Sequence, residues 1–153
     1  MQMDEFLKML GGAADRLDNA DLRPALRAAG NQFGDEVAGN FQRQEDSSGN
    51  PWAPHAPLTI ALHGVHPLLR LSYAMYRAAT DLDAAAAVSL LEDRKITIGI
   101  DGNEIPYAWK QDEGAGRIPA REFFYLNGDS VERVGDVIEE AGFDVVNSYV
   151  FPG

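Results

Sequence analysis

Residues 87–100, AVSLLEDRKITIGI, decide what class of fold this chain can adopt. Ile96, Ile98 and Ile100 alternate with Thr97 and Gly99, and Val88 and Leu90 alternate before them. A period of two puts such side chains on one face of an extended strand. Asp93-Arg94 separates the two runs, so the stretch reads as an antiparallel hairpin, and Asp101-Gly102 supplies a turn after it.

Upstream the period changes to that of a helix. Phe6, Met9, Leu10, Ala13, Ala14 and Leu17 form one apolar stripe. Asp18-Asn19-Ala20-Asp21 then offers turn and N-cap residues, and Pro24 falls where a first helical turn tolerates it. Leu22, Leu26, Ala29, Phe33, Val37 and Phe41 carry a second helix to near Gln44. Gly30, Gly34 and Gly39 each weaken it by about 1 kcal/mol relative to Ala, so it is expected to be held by a closely approaching neighbour. Residues 68–80, LLRLSYAMYRAAT, suit a short helix with Ser72 as N-cap.

Downstream, a third strand is expected over residues 121–126. Asp129-Ser130-Val131-Glu132 resembles a capping box, with Val131, Val134, Val137, Ile138 and Ala141 as a helical stripe closed by Gly142. The run FDVVNSYVF, residues 143–151, is strand-like. The class is therefore α+β: N-terminal amphipathic helices and a small, mostly antiparallel sheet with a helix packed across it. One domain is expected over residues 1–153, made of a helical N-terminal arm (1–45), a Pro-rich loop (46–67) and an α+β core (68–153).

Composition narrows the function. At 153 residues, 45% hydrophobic and 24% charged, the chain can bury one core. It has no cysteine, which excludes disulfides, thiolate metal sites and a cysteine nucleophile. No apolar run is long enough to span a bilayer, and MQMDEFLKML carries acids where an export signal needs bases, so no membrane partner is expected. The net charge is −11, with four basic and eleven acidic groups in residues 101–153. Such a chain is repelled by phosphate backbones.

Motifs for chemistry are sparse. The nucleophile elbow, the phosphate-binding loop and the dinucleotide glycine fingerprint are absent. Asp35-Glu36 and Glu139-Glu140 read as solvated helix faces. His55, His63 and His66 fall within twelve residues, and His63-x-x-His66 is a spacing that can bind metal. No acid stands among them, and Pro67 disfavours helix at His66. They define the alternative function, a small metal-dependent hydrolase; the surface-loop reading needs no cofactor. In EDSSGNPWAPHAPLT, residues 45–59, Pro51, Pro54 and Pro57 are expected to exclude regular structure, and Trp52 to plug the core or a partner's pocket.

The order of several motifs resembles the phage virion morphogenesis proteins, also called tail-completion or neck proteins, of long-tailed bacteriophages. The resemblance spans roughly residues 50–142. It rests on Asn50-Pro51-Trp52, on the Leu-rich segment Leu69-Arg70-Leu71-Ser72-Tyr73-Ala74-Met75, and on Ile98-Gly99 closing the hairpin. Tyr107-Ala108 and Gly114 follow, and Ile118-Pro119-Ala120-Arg121 before Phe123 matches the family motif residue for residue. The chain departs from the pattern in Ser72-Tyr73, where Gly is usual, and in Lys110-Gln111-Asp112-Glu113.

The resemblance implies a structural virion protein and not an enzyme: a head–tail neck component made in the bacterial host cytoplasm, encoded by a phage or prophage. It would form a homo-oligomeric ring joining connector to tail, through which DNA passes without tight binding. The candidate inter-subunit or loop-anchoring residues are Trp52, Tyr107, Trp109, Ile118, Pro119, Arg121 and Phe123, and the candidate ring interfaces are the first helix and the loop 45–67. Arg121, fixed by Pro119 before it and by the burial of Phe123, Phe124 and Tyr125 after it, can bond a carboxylate or loop carbonyls. Its partner is expected either in its own loop, at Asp112 or Glu113, or on a neighbouring subunit.

Overall fold

The second apolar stripe becomes the spine of the molecule. In the computed structural model, which describes residues 3–150, helix α2 (Arg23–Arg43) buries Ala29, Val37 and Phe41 as the spacing requires. Pro24 lies in its first turn. The N-cap position falls on Leu22 without a side-chain bond, while Asp21 accepts the Arg23 N–H at 3.1 Å and pairs with its guanidinium. At the other end Gln44 turns left-handed (φ 54°) and returns its N–H to the Asn40 carbonyl.

Helix α1 (Met3–Asp18) lies against the last helix of the chain. The side chains of its expected stripe (Phe6, Met9, Leu10, Ala13, Ala14 and Leu17) lie outside the described residues. After α2 the chain forms α3 (Pro57–His63), α4 (Ala74–Thr80), strands β1 (Ala87–Glu92) and β2 (Lys95–Ile100), α5 (Ala108–Glu113) and α6 (Gly128–Val150). The α+β class holds: helices enclose a two-stranded antiparallel sheet. Register pairs Ala87 with Ile100, Ser89 with Ile98 and Leu91 with Ile96, so β2's isoleucines share a face with these residues. Val88 and Leu90 lie on the opposite face, across from Gly99 and Thr97.

Two glycines of α2 explain the close packing. A Cβ on Gly30 would meet the methyl ends of Leu82 and Ile96 at 2.7 and 2.8 Å, and one on Gly34 would collide with the Thr80 backbone carbonyl. The hairpin and α4 therefore approach the helix nearer than any side chain allows. Around this contact Val37, Phe41, Trp52, Met75, Ile105 and Phe123 form the core, with Phe41 ringed by Trp52, Tyr76 and Phe123 at centroid distances of 5.8, 5.0 and 5.1 Å.

The structure corrects several expectations. Residues 143–150 continue α6 rather than forming a strand; only Phe151 of the strand-like run lies outside the described residues. The half-buried positions Val134, Val137, Ala141 and Val145 keep helical spacing through Gly142, which ends nothing. Propagating an existing helix adds one hydrogen bond per residue, and this outweighs a brief strand-like run. Val131 and Ile138 point to solvent. Asn127, not Asp129, caps α6 by accepting the Ser130 N–H at 2.9 Å. The helix expected over 68–80 shortens to α4 because Leu69 and Tyr73 take left-handed φ angles of 61° and 59°, so Tyr73 replaces Ser72 at the N-cap position. The Pro-rich loop contains α3, since Pro57 sits in a first turn, where its missing N–H costs nothing. No strand forms over 121–126, for reasons given below.

Glu36 is the sharpest correction. Expected on a solvated face, it is 7% exposed. Arg133 of α6 holds its two carboxylate oxygens at 2.6 and 2.7 Å, Ser130 Oγ donates at 2.8 Å, and Gln32 Nε2 donates at 2.8 Å. A bidentate guanidinium–carboxylate pair thus joins α2 to α6. Bonding to Arg133 lowers the Glu36 pKa from 4.5 to about 2 against the opposing effect of burial, with Ser130 and Gln32 assisting.

Two outcomes are expected. Gly34→Ala destabilises by about 1–3 kcal/mol because backbone must move, whereas Gly30→Ala costs less because methyl ends can swing and helix propensity improves; urea unfolding midpoints rank the two. The depressed Glu36 pKa contributes stability fully present above pH 4.5 and lost as pH falls through about 2. Wild type should therefore lose more stability than Glu36→Gln between those limits, read from denaturant midpoints at each pH.

Candidate functional site

Residues 121–126 cross the core without a strand partner, so their backbone polar groups must be satisfied by other means. Side chains do most of it. Asp112 Oδ1 accepts the N–H groups of Phe123 and Phe124 at 2.8 and 3.1 Å. Asn40 Nδ2, buried on α2, donates to the carbonyls of Phe123 and Tyr125, both at 2.9 Å. Trp52 Nε1 donates to the Glu122 carbonyl at 2.9 Å, and the Arg121 N–H reaches the Gln111 carbonyl at 2.7 Å. The aromatic run is held by polar groups from three separate elements.

Arg121 completes the knot. It is 7% exposed, and its Nε and Nη2 donate to the carbonyls of Ala53 and Pro54 at 2.8 and 2.9 Å, while Nη1 lies 3.4 Å from Gln111 Oε1. The expected carboxylate partners Asp112 and Glu113 are not used; two adjacent carbonyls of the Pro-rich loop fit the planar fork instead. Burial lowers the guanidinium pKa from its ordinary value. The loop is tied down further: Tyr125 Oη donates to the carbonyls of Glu45 and Asp46, and Glu122 accepts from both the Ser47 N–H and its hydroxyl. Residues 45–54 are thus stitched firmly to the rest.

The predicted residues fall into two groups. Trp52, Arg121 and Phe123 are interior. Ile118 closes a tight turn by exchanging bonds with Ala115, and Gly114 (φ 79°) must be glycine because a Cβ there would meet the Ala120 nitrogen at 2.9 Å. Tyr107, at the start of α5, joins Ile118, Pro119 and Arg121 along a groove of about 580 Å³. Trp109 does not line it; its ring is exposed beside Lys110, whose Nζ lies 5.7 Å from the ring centroid.

The other wall of the groove is α3 and the chain after it. Leu58 and Leu62, one turn apart, face the groove with Leu71, and none of the α3 side chains is buried. His55, His63 and His66 converge there as well, with the first and last rings 4.2 Å apart. His55 Nε2 lies 3.0 Å from the His66 carbonyl oxygen and His66 Nδ1 3.0 Å from that of Gly64. A carbonyl only accepts, so each contact needs the proton on that nitrogen, which withdraws it from metal ligation. Among the described residues no three His, Cys, Asp or Glu are placed to hold a metal ion, nor is any helix long and apolar enough to cross a membrane. The groove offers an apolar floor and walls with a few nitrogen donors, which suits it to holding a side chain or helix edge.

Sequence reading missed Asn40, the role of Asp112 as acceptor for the Phe123 and Phe124 amides, and the Glu36–Arg133 pair. Asn40 had a usable signal: it adjoins Phe41 within an apolar helix stripe, where a polar side chain needs a partner. No family model matches the chain, and no curated protein or solved structure matches it either.

Arg121→Lys should destabilise the protein by roughly 1–3 kcal/mol, because one ammonium cannot span both carbonyls. Asn40→Ala should cost at least as much, since it leaves two buried carbonyls without donors. Thermal melts of the two variants check both.

Proposed function

We propose that this chain is a structural component of a bacteriophage virion, a neck or tail-completion protein that joins the head connector to the tail as a ring around the DNA path. One observation carries the reading. Three of the motifs on which the resemblance rests, spread over about 70 residues of sequence, serve a single unit. Trp52 bonds the carbonyl of Glu122, Arg121 grips the loop around Trp52, and Gly114 makes room for Ala120. Such a set of residues preserves a shape and carries no reacting group of its own. The net charge of −11 agrees with a conduit that DNA must pass without adhering.

The groove beside the knot gives this part a surface to dock with, and Arg121 fixes the point from which the chain enters its α3 wall. On this reading the protein belongs to the virion and is made in the host cytoplasm, with the connector and tail proteins as its neighbours. Deleting its coding sequence from the phage or prophage should leave DNA-filled heads and finished tails unjoined in negative-stain micrographs, restored by the wild-type chain supplied in trans. Normal joined particles after deletion would contradict the proposal.

A further inference from the structure

The chain carries 24 acidic residues, yet no Asp or Glu lines the groove. Its basic groups are the three histidines, the buried Arg121, and Arg117, which is exposed and makes no ion pair among the described residues. Leu58 and Leu62, each 69% exposed, stand over it as an unpartnered apolar pair.

The outer face of α6 is its complement. Asp136, Glu139, Glu140 and Asp144 surround Phe143, which is 63% exposed, and none of the four acids makes an ion pair among the described residues. The basic residue of this helix, Arg133, is committed to Glu36. The exposed Phe143 and the acids around it match in shape and charge the apolar, acid-free groove that carries Arg117.

We infer that the outer face of α6 of one copy, led by Phe143, seats in the groove of the next copy, with its acids meeting Arg117 and the histidine-lined wall. This rests on the ring reading above and names the contact that builds the ring. The two patches are different surfaces of one chain, so the contact is head-to-tail and repeats from copy to copy; closure gives a ring. It also replaces the earlier candidates: of the loop 45–67, only residues 55–66, which line the groove, would take part.

The test uses two full-length variants whose changes lie on exposed side chains: a groove variant, Leu62→Glu with Arg117→Glu, and a helix variant, Glu140→Lys with Phe143→Asp. Melting curves first establish that both fold as wild type does. In sedimentation velocity at low salt, wild type should self-associate, less so as salt rises, and each variant alone should associate at least about tenfold more weakly. An equimolar mixture should form a 1:1 heterodimer and nothing larger, because one sound groove and one sound helix face remain. A mixture that stays monomeric, a variant that assembles like wild type, or a wild type that stays monomeric at every concentration would each overturn the inference. The neck reading would stand or fall separately, on the deletion phenotype.

Discussion

Everything here depends on how residues 121–126 satisfy their backbone without a neighbouring strand. A buried extended segment ordinarily belongs to a sheet, because each unpaired N–H or C=O away from water costs about as much as a lost hydrogen bond. In this chain Asp112, Asn40 and Trp52 do the work of a missing strand. Since these come from α5, from α2 and from the Pro-rich loop, satisfying the segment also fixes those three elements against one another. The sheet can then remain a two-stranded hairpin, which alone would be marginal in water.

The same arrangement builds the groove. Arg121 reaches back to the carbonyls of Ala53 and Pro54, immediately before His55 and α3, so the chain enters the groove wall from a fixed point. Gly114 and the turn closed by Ala115 and Ile118 set the other wall beside Tyr107. The buried arginine is thus a fastener for the frame, and the exposed Leu58, Leu62 and Arg117 are what the frame presents.

Periodicity made the helices and the hairpin legible, since α2's stripe and β2's isoleucines each repeat over several turns or pairs. It failed where a local pattern was short. Residues 121–126 are aromatic-rich like a buried strand, but nothing in the chain could say that no partner strand would be supplied. Residues 143–150 are strand-like in composition, and lost to a helix already running. Long-range polar pairs were the least legible: Glu36 and Arg133 are 97 residues apart, and beside Asp35 the glutamate looks like ordinary solvated charge. Of the site, Arg121, Trp52 and the Ile-Pro-Ala-Arg turn were visible from residue type. The loop carbonyls that Arg121 bonds were invisible as such, because every residue carries one.

Amide hydrogen exchange resolved to single residues tests the central claim most directly. The amides of Arg121, Phe123 and Phe124 should exchange as slowly as those in the middle of α2, although they lie in no helix or strand, and Asp112→Ala should release the last two selectively. Exchange of all three as fast as in the exposed turn at residues 102–104 would mean that side chains do not hold this segment, and the account built on it would fail.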